Sequence, residues 1–176
     1  RYHPLILNVK KLLDKKKFGE IISVQIKCSS FLPSWRSGGN YKNEISANKK
    51  LGGGVLLELS HEIDYAYFLF GNFKTVSSHI FKTKFLEINS EDSIDFILNN
   101  KNFNCNIHLD FHSRYKERYI KINLTKATIK VDLIKNKVFI FNDSKIKEVN
   151  CEKNTYDKIY LNEIKDFVKN IKKNNY

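Results

Sequence analysis

The sequence predicts an α+β domain built on an open, mainly antiparallel sheet with helices packed on one of its faces. Two helix-like segments and one strand-like segment come first, a run of strand-like segments follows, and one further helix-like segment ends the chain. Short polar turns separate the later strands, and connections that short join antiparallel neighbours. Helices that are segregated from the strands in this way cover one face of a sheet.

Length and composition point to one folded domain over residues 1–176. Hydrophobic residues make up 41% of the chain and charged residues 28%, which excludes collagen-like, low-complexity and mostly disordered classes. No apolar run approaches the roughly 18 residues of a membrane helix, so we expect a cytoplasmic protein with no membrane partner. The chain starts at Arg1 and contains no Met, so we expect it to be part of a longer protein.

The net charge of +12 raises the possibility of nucleic-acid binding. Base and phosphate recognition favours Arg, whose planar fork binds in a bidentate manner, but nearly all of the basic residues are Lys, spread along the whole chain. A basic nucleic-acid-binding domain is therefore the less favoured alternative.

The first half of the chain contains two predicted helices. Apolar residues at helical spacing predict a helix over residues 4–17, and alternation over residues 20–31 predicts a strand. Residues 32–54 read as a long loop, and loops of that length are usually functional or disordered. A second helix is predicted over residues 55–70, where Gly71 ends it.

The second half reads mostly as strands, and an amphipathic helix over residues 156–172 follows them. Residues 138–141 are apolar on both faces of their strand, so we expect the uncovered face of the sheet to meet a partner domain or a second copy of the chain. The predicted strands are 74–84, 92–99, 104–113, 118–125, 127–134 and 137–142, with a weaker one at 145–150.

The densest group of chemically useful residues lies at positions 52–65. On the predicted helix Glu58, His61, Glu62 and Tyr65 fall on one polar side, and a carboxylate beside an imidazole is the simplest acid/base arrangement. The preceding Gly52, Gly53 and Gly54 allow close approach to the backbone and suit an anion or the edge of a cofactor. The alternative is that the imidazole is purely structural. No nucleotide-binding glycine fingerprint occurs in the chain.

A second polar row, Asn106, His108, Asp110 and His112, alternates with apolar residues and so shares one face of a strand. Two imidazoles that flank a carboxylate could bind a metal. A solvated or interface-facing surface is the favoured interpretation. A third interpretation places part of this row, with Arg114 and Arg118, on the wall of a substrate cleft. We predict no metal site.

The segment from Gly52 to Gly71, with its glycines, His61 and Asp64, resembles the signature of the Gfo/Idh/MocA oxidoreductases. The opening Arg-Tyr-His-Pro, the turn at Gly19 and the closing helix are also similar to the C-terminal domain of that family. The loop with Trp35, Arg36 and Tyr41 is most similar to the branch that acts on sugars of surface-glycan pathways. The resemblance covers essentially the whole chain.

The resemblance implies a missing N-terminal Rossmann domain that binds NAD or NADP, with Gly52, Gly53 and Gly54 as weak cofactor contacts from this chain. It implies that the present domain contacts the substrate and forms a homo-oligomer through the face of its sheet. His61 corresponds to the acid/base histidine of the family, and Asp64 matches a downstream Asp, to which we assign a place in the substrate site with a structural or His-orienting role.

The resemblance has one departure: many members carry Asp four residues before the histidine, where this chain has Leu57. Glu58, three residues before, is therefore expected to tune the imidazole. Trp35, Arg36 and Tyr41 are expected to line the sugar site, where Arg36 could bind a carboxylate or phosphate.

The expected function is the substrate-binding and catalytic-His half of an NAD(P)-dependent oxidoreductase that acts on a sugar by hydride transfer at a carbinol carbon. The fragment alone is expected to be inactive. The alternative is a non-enzymatic protein–protein interaction module that uses the exposed face of the sheet.

Overall fold

The computed structural model describes residues 1–143, 145–149 and 156–173 and confirms the predicted fold class. Within these residues, helices and strands alternate early and strands dominate later. The elements are α1 (Pro4–Asp14), β1 (Ile21–Phe31), α2 (Val55–Glu58), α3 (Ser60–Phe70), β2 (Thr75–Phe81), β3 (Ser93–Asn99), β4 (Asn104–Asp110), β5 (His112–Leu124), β6 (Ala127–Asp132), β7 (Lys137–Asn142), β8 (Lys145–Val149) and α4 (Tyr156–Lys172).

The described strands form one open sheet in the order β2-β3-β4-β1-β5-β6-β7-β8. All of its neighbouring pairs are antiparallel except β1 and β4, which run parallel. Parallel neighbours need a long crossover connection. The segment between β1 and β4 supplies it, and this segment contains the loop, α2, α3 and the β2–β3 hairpin.

The core lies between one face of the sheet and the helices α1 and α3. Ile26 of β1, Ile107 of β4 and Ile120 of β5 point into it, and each is at most 1% exposed. Leu5 of α1 and Ala66 of α3 belong to the same buried cluster. Burial of apolar side chains drives this packing. The opposite face of the sheet carries no helix among the described residues, and we call it the open face.

The boundaries of several elements differ from the predictions. The first helix ends at Asp14, three residues before its predicted end. The predicted strands 104–113 and 118–125 correspond to β4 and β5, and in the structure only Phe111 separates these two strands. Residues 32–51 are not an irregular loop throughout, because they form four short 3₁₀ turns. Residue 150, the last of the weakest predicted strand, lies outside the described residues.

The predicted helix over residues 55–70 is two helices. Leu59 separates them with φ −109° and ψ 18°, values outside the helical range. Glu62 and Tyr65, which the spacing of one continuous helix put on a polar side, are 0% and 2% exposed in the structure. The single helical wheel therefore misplaced these two side chains relative to the core.

The last helix, α4, leaves much of its apolar side uncovered. Tyr160 is 59% exposed and Phe167 is 65% exposed. Its described link to the start of the chain is the Tyr2 hydroxyl, which donates to Asp166 Oδ2 at 2.7 Å. Among the described helices, none combines the length and hydropathy needed to cross a membrane.

Candidate active site

His61 lies in the first turn of α3, directly after the break at Leu59. Its side chain is 48% exposed and faces a pocket of about 1100 Å³. The start of α1, the first turns of α3, the Arg118 position of β5 and the helix α4 enclose this pocket. Its polar lining includes Tyr2, His3, His61, Asp64, Arg118 and Glu163. A pocket of that size holds a ligand larger than one sugar ring.

The carboxylate beside the imidazole is Glu62. Its Oε1 lies 3.2 Å from His61 Nε2. The same oxygen accepts a hydrogen bond from Arg118 Nε at 2.8 Å and lies 2.7 Å from Arg118 Nη2 in an ion pair. The Tyr65 hydroxyl donates to the other oxygen, Oε2. Burial raises the pKa of Tyr65 well above its usual value, and the adjacent Glu62 carboxylate adds to the effect. The tyrosine is therefore a neutral donor at physiological pH.

Asp64 also lines the pocket, where it binds the guanidinium of Arg1 through both of its oxygens. The hydrogen bond from Arg1 lowers the pKa of Asp64, and the same bond raises the pKa of Arg1. The pair ties the first residue of the chain to α3. Within the described residues, the structure gives Asp64 no contact with His61, so an orienting role for this carboxylate stays a prediction.

His3 caps the N-terminus of α1 and lies in the same pocket. Its Nδ1 accepts a hydrogen bond from the Leu5 backbone N–H at 3.2 Å, which requires the neutral imidazole. Burial lowers the pKa of His3 to about 4, and the positive charge of Arg118 contributes in the same direction. The cap is therefore intact at neutral pH and is lost in acid.

Because the folded state holds His3 below its unfolded pKa, the chain should lose stability as the pH falls below about 6.5. We expect the stabilisation from His3 to decrease by roughly 1 kcal/mol between pH 7 and pH 5, after allowance for solvent screening. His3→Asn keeps a capping acceptor that does not titrate, so its unfolding midpoint should fall less over this interval. Thermal unfolding at both pH values measures the difference. An equal fall in both proteins would contradict it.

Glu58, which was predicted to tune His61, has a different partner. The Ser46 hydroxyl donates to its Oε1 at 2.6 Å. Ser46 belongs to the 3₁₀ turn Ile45–Ala47 and is 5% exposed, so the bond ties α2 to the loop. The break at Leu59 stands between Glu58 and His61. A tuning role for Glu58 remains a prediction, whereas the contact with the imidazole belongs to Glu62.

The structure brings Trp35, Arg36 and Tyr41 together around a smaller pocket, and among the described residues none lines both this pocket and the His61 pocket. Trp35 Nε1 donates to Ser30 Oγ at 2.9 Å, and 38% of this residue is exposed. Arg36 pairs with Glu44, so an acidic ligand would have to compete for its guanidinium. The Tyr41 hydroxyl accepts a bond from a backbone N–H of the β2–β3 connection. A shared sugar site with His61 stays a prediction.

The glycines at 52–54 have a structural explanation of their own. A Cβ on Gly53 would lie 2.0 Å from the Ile45 carbonyl oxygen, and one on Gly54 would lie 2.2 Å from a Glu91 carboxylate oxygen. Their amides donate to backbone carbonyls of the preceding loop, and Glu91 Oε1 accepts from the Leu56 N–H at 3.4 Å. A carboxylate of the chain itself thus occupies the start of α2. A cofactor contact at these glycines stays a prediction.

Asn106, His108 and Asp110 of β4 lie on the open face of the sheet, because Ile107 and Leu109, which alternate with them, point into the core. His108 bridges two carboxylates, with Nδ1 2.7 Å from Asp95 and Nε2 3.0 Å from Asp110. The hydrogen bond to Asp110 raises the pKa of His108, although partial burial opposes it. Burial disfavours the charged form of Asp110, but the bond from His108 and backbone N–H donors keep its pKa below the usual value. His112 belongs to β5, so it extends this cluster from a second strand.

An open, mainly antiparallel sheet carries helices on one face, and the His61 pocket lies on that helix side, between α1, α3, α4 and β5. The profile of the GFO/IDH/MocA C-terminal domain matches residues 6–130. The chain belongs to the GFO/IDH/MocA family. Comparison with curated protein sequences finds no significant match.

Solved structures share the fold. Levoglucosan dehydrogenase in complex with NADH and levoglucosan superposes with a TM-score of 0.80 at 16% identity, covering 97% of this chain and 54% of that one. An oxidoreductase from Agrobacterium radiobacter in complex with NAD⁺, L-tartaric acid and magnesium gives 0.78 at 16%, with 99% and 53% covered. UDP-N-acetylglucosamine 3-dehydrogenase from Acidithiobacillus ferrooxidans gives 0.70 at 18%, with 98% and 50% covered. The chain spans about half the length of these structures.

Sequence reasoning placed Glu62 on the side of His61 and, in one alternative, Arg118 on the wall of a substrate cleft, but it did not pair these two residues. The alternation of residues in β5 indicates the direction of Arg118, because Ile120, Ile122 and Leu124 all point to the core. Residues two apart on a strand share a face, so Arg118 had to point toward the helices. An arginine on the core face needs a buried carboxylate partner.

Proposed function

We propose that this chain is the substrate-binding and acid/base half of an NAD(P)-dependent oxidoreductase acting on a sugar or sugar derivative. The observation that carries the proposal is the position of His61, half exposed at the wall of a large pocket, in a domain of the GFO/IDH/MocA family. The fold that it shares with an NADH-binding levoglucosan dehydrogenase supports the same class of reaction.

The dinucleotide, held mainly by a nucleotide-binding domain outside this chain, would supply the hydride acceptor. The His61 imidazole would take the hydroxyl proton of the substrate as the carbinol C–H bond breaks, and it would return that proton in the reverse direction. The pocket has room for a sugar ring and the edge of a cofactor ring. The amides of Gly52, Gly53 and Gly54 are already bonded within the chain, so these residues fit a contact with a ring edge better than a phosphate cradle.

The finer substrate class in this proposal is a sugar of surface-glycan pathways. Trp35, Arg36 and Tyr41 would form a second part of the sugar site, where the exposed part of Trp35 offers a stacking surface. Ser46 lines that smaller pocket and binds Glu58, so one hydrogen bond connects it to the helix that precedes His61. The fold shared with UDP-N-acetylglucosamine 3-dehydrogenase supports this class.

A homo-oligomer through the open face and a cytoplasmic location are part of the same proposal. The open face carries exposed apolar residues, including Ile97 at 52% and Phe81 at 44%. Apolar surface of this kind is typical of a face that a partner covers.

The test is an absorbance assay of NADH and NADPH formation. The full-length protein, with the upstream sequence restored, is presented with each oxidised cofactor and a panel of neutral, acidic, amino and nucleotide-linked sugars. We expect turnover with at least one sugar. The 176-residue chain alone should give none, because the reaction needs the hydride acceptor held elsewhere. Robust turnover by the chain alone, or none by the full-length protein with any member of the panel, would contradict the proposal.

A further inference from the structure

Glu62 and Arg118 form an ion pair between α3 and β5, directly beside His61. We propose that this pair positions the His61 imidazole for proton transfer, an inference that rests on the proposed function. Neither residue would touch the substrate's reacting atoms, so both are positioning residues.

The Glu62 carboxylate is held at both of its oxygens. Oε1 accepts a hydrogen bond from Arg118 Nε at 2.8 Å and lies 2.7 Å from Nη2 of the same guanidinium, and Oε2 accepts a bond from Tyr65. The Glu62 side chain is fully buried. A carboxylate held by β5 at one oxygen and by α3 at the other cannot change its rotamer without losing at least one of these contacts.

The pair joins the turn that carries His61 to the rigid part of the fold. The break at Leu59 means that α2 does not continue into α3, so α2 gives the first turn of α3 no continuous helical support. Arg118 comes from β5, next to the central strand β1, where its Cα pairs with Cys28. The guanidinium therefore anchors the first turn of α3, which carries His61, to the sheet.

The imidazole is oriented by the same carboxylate. His61 Nε2 lies 3.2 Å from Glu62 Oε1, the oxygen that Arg118 also holds. Within the described residues, His61 Nδ1 has no hydrogen-bond partner, which leaves it available to a ligand in the pocket. A histidine whose one nitrogen faces a fixed carboxylate presents the other in a defined direction.

Stability alone is a weak reason to bury such a pair. Charges taken out of water cost free energy, and well-packed apolar residues in place of a buried ion pair are often neutral or stabilising. In the neighbouring pair of Lys27 and Glu117, on the open face, both side chains are 30% exposed. Arg118 is exposed to a similar extent, at 29%, but its partner Glu62 is fully buried. The fully buried carboxylate is the one that lies against the proposed acid/base residue.

The test compares three variants of the full-length protein. Glu62→Gln removes the negative charge and keeps the shape of the side chain. Arg118→Lys keeps the positive charge and loses the contact of two guanidinium nitrogens with Glu62 Oε1. Glu117→Gln is the matched control, since it removes a paired carboxylate from the residue next to Arg118 but on the opposite face. Steady-state kinetics with the best sugar of the panel gives kcat and KM, and NMR of labelled histidine rings, assigned with His61→Gln, reports on the imidazole of residue 61.

We expect Glu62→Gln and Arg118→Lys each to lower kcat by about tenfold to a hundredfold while KM changes by less than about threefold, because misplaced groups lose rate more than binding. The double variant should lose about as much as the worse single variant, because the two residues act as a unit. The ring signals of His61 should move in both variants and not in Glu117→Gln. Should Glu62→Gln fail to fold, Arg118→Lys, which keeps both charges, carries the test.

Folded variants with wild-type kcat and unmoved His61 signals would overturn the inference. If His61→Ala is inactive while Glu62→Gln is fully active, the proposed function stands and the positioning role fails. If the protein turns over no sugar, the proposed function fails, and the ring signals of His61 still decide whether the pair orients the imidazole.

Discussion

In the full-length protein, His61→Ala is expected to lower kcat by about 10²–10⁴-fold, the range that general acid/base catalysis typically contributes. The loss follows from removal of the group that would accept the substrate's hydroxyl proton as hydride leaves. Because the side chain is about half exposed, its truncation leaves no core cavity. The thermal unfolding midpoint should therefore stay close to that of the unmodified protein. Kinetics with the best sugar of the panel, together with thermal unfolding, makes this measurement.

The matched control is His79→Ala, which deletes the same side chain from the exposed edge strand β2, outside the pocket. That variant should keep kcat within about twofold, because surface changes remote from the site have small effects. An unchanged kcat in His61→Ala would remove this residue from the mechanism. A fall of similar size in His79→Ala would show that the loss reflects a general disturbance.

Gly53→Ala is expected to destabilise the domain by about 3 kcal/mol, the upper part of the range for overpacking. A Cβ there would lie 2.0 Å from the Ile45 carbonyl oxygen and 2.8 Å from the Ser46 carbonyl oxygen. These are backbone atoms of a turn fixed by its own hydrogen bonds, including Gly53 N–H to the Asn48 carbonyl at 2.9 Å. They cannot move aside as a flexible side chain would. Urea unfolding measures the change in the free energy of unfolding.

Gly52→Ala separates backbone strain from steric overlap. A Cβ at Gly52 would meet nothing within 4 Å, but the residue has φ +83°. The left-handed conformation alone costs an alanine about 1–2 kcal/mol, so we expect this variant to be the milder of the two. If Gly53→Ala instead keeps full stability and weakens cofactor affinity, these glycines serve the dinucleotide and the packing explanation is wrong.

The fold could be predicted because its signals are local. Alternation in β4 and β5 gave strands whose core-facing residues, such as Ile107 and Ile120, are fully buried in the structure. The parallel pairing of β1 with β4 was missed, since the segment between them carries both helices of the crossover and a hairpin, and no local pattern reports which strands meet across such a distance. The 3₁₀ turns of residues 32–51 were missed for a related reason: each is three residues long, too short to show a period.

The candidate site was predicted less completely than the fold. Sequence spacing put His61 on one side with two carboxylates, Glu58 and Glu62, and the structure brings the Glu62 carboxylate to the imidazole. One residue outside the helical range at Leu59 changes every angular relation that a continuous helix would impose.

The central claim is that His61 points at the place where the substrate and the nicotinamide ring meet. Its most direct test is a structure of the full-length protein with the oxidised dinucleotide and its best sugar. We expect a His61 nitrogen within about 3 Å of a sugar hydroxyl. The carbon that carries this hydroxyl should lie about 3–3.5 Å from the nicotinamide ring. A nicotinamide ring bound away from the pocket formed by α1, α3 and α4, with His61 facing only solvent, would contradict it.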